Sequence, residues 1–186
     1  MNENQKKLNY KKGVKMNFAK FLNELNAQKG DPEVKFDPQK EIEEYRSYLN
    51  QLYSIFEGSL LPYVKNGQIQ VERDNIQINE ESLGTYEVPR LTLKLNTIHI
   101  QLKPEGTMLI ASKGRVRMEG PKGFAKIILM RKNFSIQGKI PSDLNNGTAP
   151  EDQWVWRFVA PDNRNFIDVT EDSIQNVIME LVNGQD

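Results

Sequence analysis

The chain has 186 residues, the usual size of one domain or of one domain with a tail. Its 25 basic and 25 acidic side chains cancel, and the absence of cysteine excludes disulfides, thiolate catalysis and zinc–thiolate sites. No apolar run is long enough to cross a membrane, and residues 1–15 lack the apolar core of a secretory signal. We therefore expect a cytoplasmic protein without membrane contact.

The N-terminal segment is strongly basic. Residues 1–15 carry five lysines and one glutamate without an apolar period, and this composition predicts a disordered basic tail. A short amphipathic helix is expected next, because apolar side chains then recur at helical spacing. These are Phe18, Phe21, Leu22 and Leu25. We expect residues 16–186 to form a single α+β domain.

A longer helix is predicted from Asp37 onward. Asp37 suits the N-cap and Pro38 suits the first helical position. An apolar stripe at a spacing of about 3.6 residues follows, which we interpret as the side of the helix that packs against a sheet. It consists of Ile42, Tyr45, Leu49, Leu52, Tyr53 and Phe56. Gly58 and Pro62 are expected to end the helix.

After this helix the apolar period changes to about 2 residues, which predicts strands. Ile69 and Val71 share one face, Ile76 and Ile78 share the other, and "ERDN" between these pairs is interpreted as a hairpin turn. A second switch of parity, at residues 96–97, indicates either a β-bulge within one strand or a tight turn between two strands.

Further strands are predicted at "TMLIAS", "RVRME", "FAKIILM", "NFSIQG", "WVWRFVAP" and "NFIDV", with a loop at residues 141–152. Thr170 is expected to cap a final helix that ends at Gly184. Its apolar face consists of Ile174, Val177, Ile178 and Leu181. This order predicts an α+β fold: an antiparallel β-meander of roughly six to eight strands, flanked by N-terminal helices and a C-terminal helix that cover one face.

Residues 113–132, "KGRVRMEGPKGFAKIILMRK", hold seven basic residues and one acid. "GPKG" at residues 120–123 predicts a turn between two strands. A G-x-x-G with an internal lysine clamps nucleic-acid backbone in KH modules, but there it joins helices, so the strand context argues against that interpretation. The candidate nucleic-acid-binding residues are Lys113, Arg115, Arg117, Lys122, Lys126, Arg131 and Lys132.

The faces of these strands favour a different interpretation of the basic segment. In the first strand, Val116 and Met118 alternate with the arginines and indicate one apolar face that packs on the core. The second strand, "FAKIILM", is apolar on both faces and is typical of a central strand. The arginines are then expected near a sheet edge or under the acidic helices. The aromatic ladder Trp154, Trp156 and Phe158 is interpreted as core rather than as a base-stacking surface.

The sequence provides little support for an enzyme. His99 is the only histidine in the sequence. Its neighbours Ile98 and Ile100 are expected on the buried face of the strand, so His99 is expected on the opposite, polar face. The chain lacks the nucleotide-binding P-loop, the nucleophile-elbow, the metalloprotease and the EF-hand motifs. We predict no catalytic residues, no metal site and no cofactor.

Three functions fit these observations. The first is a non-enzymatic protein-binding module, such as an adaptor, an immunity-type protein or an assembly subunit, whose partner is another protein. The second is a nucleic-acid-associated protein that uses residues 113–132, although a balanced net charge is unusual for that class. The third is an enzyme with a carboxylate site that sequence spacing does not reveal. The first is our expectation, and the other two are its alternatives.

Overall fold

The computed structural model describes residues 36–107, 112–132 and 153–184. The chain divides into two units, Met1–Phe36 and Asp37–Asp186, and the fold below is that of the second unit. The predicted basic tail and first helix lie outside the described residues, as do most of "TMLIAS", the "NFSIQG" strand and the loop at residues 141–152. The predicted domain organisation therefore stays a prediction.

Helix α1, Pro38–Lys65, begins where the sequence predicts. The Asp37 side chain accepts hydrogen bonds from the backbone N–H groups of Gln39 and Lys40, at 3.0 and 3.3 Å, which confirms the N-cap. Every residue of the predicted apolar stripe is buried. The predicted end of the helix is wrong, because α1 continues through Gly58 and Pro62. Pro62 removes one backbone hydrogen bond, but Leu60 beside it is buried in the core and holds the last turns in place.

Within the described ranges, seven strands form one antiparallel sheet in which each strand pairs with the next described strand in sequence. They are β1 Gln70–Glu80, β2 Gly84–Leu95, β3 Ile98–Gly106, β4 Gly114–Gly120, β5 Gly123–Arg131, β6 Trp154–Val159 and β7 Phe166–Asp168. Helix α2, Glu171–Asn183, follows the last strand. The predicted α+β class and antiparallel meander are confirmed, together with one helix before the sheet and the C-terminal helix after it.

The predicted hairpin turn at "ERDN" is wrong. Strand β1 is continuous, and it pairs with β2 from Gln70–Lys94 to Glu80–Gly84 without a shift of register. At the same point of both strands, the buried side chains change between even-numbered and odd-numbered positions. In β2, for example, Val88 and Leu91 are both fully buried. The apolar pattern therefore switches within one long, twisted ribbon, so that a change of parity does not mark a turn here. At residues 96–97, where a bulge and a turn were both possible, the structure has a tight turn between β2 and β3, with Asn96 at φ 55°.

Both helices pack against the same face of the sheet. Gly114 and Gly120 lie on one face of β4, where a Cβ atom would stand 2.5 Å from the Tyr45 ring of α1 and 2.8 Å from the Leu181 Cβ of α2, respectively. The core lies between this face and the two helices, and it includes Trp156 and Phe158, as predicted. The predicted cap of α2 is confirmed by reciprocal hydrogen bonds between Thr170 and Ser173.

Candidate functional site

The basic segment forms the hairpin of β4 and β5, with the predicted turn at residues 121–122. Val116 and Met118 are buried under the helices, so Arg115 and Arg117 lie on the opposite face of the sheet. Our expectation that the arginines lie near an edge or under the acidic helices is wrong. Strand β4 is the middle strand of seven, and its polar side faces away from both helices.

Carboxylates of neighbouring strand positions neutralise this part of the hairpin. Both Arg115 and Arg117 form ion pairs with Glu105 of β3, the second at 2.6 Å. Lys103 pairs with Glu119 in the same row. Such half-exposed pairs contribute about 0–1 kcal/mol each to stability. Because of these ion pairs, the surface around Arg115 and Arg117 has little net positive electrostatic field.

The other candidate nucleic-acid-binding residues lie elsewhere. Lys113 donates to Glu44 of α1 at 2.7 Å, and it lies over the Trp154 ring together with Arg131. Burial lowers the pKa of Lys113, but the hydrogen bond and charge of Glu44 outweigh it and raise that pKa overall. Lys132 bonds to Gln153. These groups are at the far end of the hairpin from Lys122, so the seven candidates do not form one surface, and their binding of nucleic acid stays a prediction.

A groove of about 590 Å³ lies where the β4–β5 turn, the β6–β7 turn and α2 meet. Its apolar lining includes Phe124 at the start of β5, Ile167 of β7 and Val177 of α2. Phe124 and Ile167 are 51% and 47% exposed, and because both line the same groove they form an apolar patch rather than scattered surface residues. The guanidinium of Arg117 stacks on Phe124 with its central carbon 4.7 Å from the ring centroid, and this contact orients the ring.

The rim of this groove carries charges that lack partners. Lys122 and Lys126 line one wall and Glu180 of α2 lines the other. Among the described residues, none of these three side chains has an ion pair or hydrogen bond, in contrast to Lys103, Arg115 and the other paired cations of the sheet face. The groove therefore combines an apolar lining with two unpaired cations and one unpaired acid, and this net positive charge suits a ligand that is both apolar and acidic.

A buried polar cluster fills the space where β2 and β3 separate. Glu80 accepts hydrogen bonds from Tyr86 Oη and from the backbone N–H of Thr107, the latter at 3.0 Å to each carboxylate oxygen. Tyr45 Oη donates to the Arg115 carbonyl at 2.8 Å. Gly106 is required beside this cluster, because its φ is 127° and a Cβ atom would lie 2.9 Å from the Glu80 carboxylate.

This cluster has the character of a structural network. Burial raises the pKa of Tyr45, and burial together with the Glu80 hydrogen bond raises that of Tyr86, so both hydroxyls remain proton donors at neutral pH. The Glu80 carboxylate is saturated by Tyr86 and Thr107. A carboxylate held in this way stabilises the ends of β1 and β3, and no nucleophile of the cluster adjoins a free base.

The remaining chemical features are consistent with this picture. His99 is exposed on β3, as predicted. Within residues 36–107, 112–132 and 153–184, no three His, Asp or Glu side chains converge on a point where a metal ion would fit. Neither helix in that part of the chain combines the length and the apolar character needed to cross a membrane.

No protein-family model matches the chain, and no curated protein or solved structure matches it significantly. The function must therefore be argued from the residues themselves. Sequence reasoning missed Ile167 and Glu180 as site residues and considered Phe124 only as a strand residue. The one available signal was that Phe124 shares a strand face with Lys126, which indicates an apolar group on a polar surface.

Proposed function

We propose that the chain is a non-enzymatic protein-binding module, and that the groove between α2, β5 and β7 receives the partner. The observation that carries this proposal is that the exposed apolar residues Phe124 and Ile167 line one groove. Protein-binding sites bury apolar anchors at their centre and place charges at their rim, and the groove has this arrangement. A cytoplasmic location, favoured by the absence of cysteine, stays a prediction.

Two features support this function over its alternatives. Glu105 and Glu119 already pair with Lys103, Arg115 and Arg117, so the face that nucleic acid would use carries few free cations. The half-buried Glu80 carboxylate is engaged by hydrogen bonds from Tyr86 and Thr107. A protein partner requires neither a strong positive field nor a free general base.

The test is affinity capture of partners from lysate of the source cells with tagged protein. Half of each lysate is treated with nuclease, and the eluates are analysed by mass spectrometry and by the ratio of ultraviolet absorbances. Three proteins are compared: wild type, Ile167→Ser in the groove, and Ile55→Ser on the exposed side of α1. Ile55 is the matched control, because it is also an exposed isoleucine.

We expect a protein partner that survives nuclease, binds the Ile55→Ser variant normally and is depleted at least about tenfold with Ile167→Ser. Loss of an apolar anchor that acts as a hot spot costs about 2 kcal/mol or more, which exceeds the roughly 1.4 kcal/mol of a tenfold change. Retention of nucleic acid, with loss of all proteins after nuclease, would favour the nucleic-acid alternative. Equal capture by the two variants would remove the groove from the binding site.

A further inference from the structure

The strand pairing around the groove leaves one backbone position open. Strand β6 pairs with β5 only from Lys126 onward, because the chain turns away after Val159 at Ala160 and Pro161. Among the described residues, 123–125 of β5 therefore pair with β4 alone, and all three line the groove. The groove thus lies in line with β6, where a further stretch of strand would continue it.

The turn geometry identifies the groups that point into this opening. Gly120 and Gly123 close the two-residue hairpin, so the backbone N–H and C=O of Gly123 point toward β4. Backbone groups alternate in direction along an antiparallel strand, and those of Phe124 therefore point into the groove. No hydrogen bond to another described residue engages them. A segment in extended conformation that lies in the groove would form two hydrogen bonds with Phe124.

The side chains around this position define the chemistry of such a segment. Phe124 and Lys126 share the face away from the helices, so partner side chains on that face meet the free ammonium group of Lys126, and Lys122 also lines the groove. Partner side chains on the other face point toward Ala125, Val177 and Leu181. The first face favours an acidic side chain and the second an apolar one.

We propose that the groove binds an extended partner segment in which acidic and apolar residues alternate, added as a short strand to β5 at Phe124. The proposal rests on the protein-binding function above and specifies the class of its partner. Strand addition of this kind obtains affinity from backbone hydrogen bonds and specificity from alternate side chains. The acidic residue supplies the counter-charge that Lys126 lacks among the described residues.

The direct test measures binding of fluorescein-labelled peptides by fluorescence anisotropy. The probe alternates Glu and Val, and a reference peptide alternates Lys and Val. Two further forms of the probe carry backbone N-methyl groups, either on Glu or on Val. In the proposed pairing the residue opposite Phe124 is Glu, so only the N–H of Glu donates to the Phe124 carbonyl, whereas the N–H of Val points away from β5.

We expect the Glu–Val probe to bind at least about tenfold more tightly than the Lys–Val peptide, since the charge on Lys126 changes from attractive to repulsive. N-methylation on Glu should weaken binding by about tenfold or more, and N-methylation on Val should leave it nearly unchanged. The Lys126→Glu variant should reverse the preference between the two peptides. Lys40→Glu, a charge reversal at an exposed position of α1, should preserve it.

Absence of Glu–Val binding, or equal binding of the Glu–Val and Lys–Val peptides, would overturn the proposal. Equal effects of the two N-methylated forms would overturn strand addition, because side-chain contacts alone would then explain the affinity. Failure of the strand-addition proposal can be distinguished from failure of the proposed protein-binding function. If Ile167→Ser still depletes a captured protein while the peptides do not bind, the groove binds a partner of another chemistry. If neither experiment gives a signal, both proposals fail.

Discussion

Replacement of Gly114 by alanine tests how firmly α1 is held against the sheet. The Cβ atom of alanine would lie 2.5 Å from Tyr45 Cε2, so the ring must retreat by about 0.9 Å to reach an ordinary contact of 3.4 Å. The ring is fully buried, and its hydroxyl is fixed by the 2.8 Å hydrogen bond to the Arg115 carbonyl. Overpacking of this kind costs about 1–3 kcal/mol, and loss of the hydrogen bond adds about 1 kcal/mol. We therefore expect the free energy of unfolding to fall by roughly 2–4 kcal/mol.

A double-mutant cycle with Tyr45→Leu isolates this contact. Leucine removes the ring edge that the new methyl group meets, so Gly114→Ala should cost less than about 1 kcal/mol in the Tyr45→Leu background. Urea unfolding followed by far-ultraviolet circular dichroism gives the four free energies, and Tyr45→Phe is the control that retains the ring and the clash. If the effects of Gly114→Ala and Tyr45→Leu add within about 0.5 kcal/mol, the proposed contact does not determine the stability.

Three further outcomes follow from single residues. Gly58→Ala, in the interior of α1 with nothing within 4 Å of the new Cβ, should stabilise the fold by about 0.5–1 kcal/mol, and destabilisation in urea would contradict the continuous helix. Thr170→Ala removes the acceptor of the Ser173 N–H and should cost about 1 kcal/mol by the same assay, whereas Thr170→Asp should retain most of the stability. Burial raises the pKa of Tyr53 in the folded protein, so folding favours the neutral hydroxyl. The contribution of Tyr53 to the free energy of unfolding is therefore fully present below the unfolded-state pKa of about 10 and is lost as the pH rises above it. The urea midpoint should therefore fall above about pH 10, and the fall should be smaller in Tyr53→Phe; an identical slope in both proteins would refute this assignment.

The helices and most of the sheet were predictable because their signals are local. Asp37 and Pro38 mark a helix start by chemistry that acts within one turn, and alternation in "RVRME" defines two strand faces by itself. The end of α1 was not predictable from Pro62, because tertiary burial of Leu60 outweighs the local preference of proline. The continuity of β1 was missed for a similar reason: the twist of a long two-stranded ribbon changes which face is buried.

Less of the candidate site than of the fold could be predicted from the sequence. The excess charge of residues 113–132 was visible, but its neutralisation by Glu105 depends on the register of β3 against β4, which no spacing in the sequence reveals. The groove depends on where β6 stops pairing with β5 and on where α2 then packs. Both are tertiary facts, whereas sequence patterns report only which residues prefer burial.

The hydrogen bond from the Trp156 side chain to the Tyr48 carbonyl has a consequence for synthesis of the protein. It joins positions 108 residues apart, whereas each strand of the meander pairs with a strand that is made next. At about 5–20 residues per second, a ribosome completes α1 roughly 5–20 seconds before it delivers β6. During that interval the part of α1 around Tyr48 and Phe56 lacks its partner strand β6. Nascent chains should therefore expose this part of α1 until Trp156 has emerged from the ribosome, and a slower rate of translation should prolong the exposure.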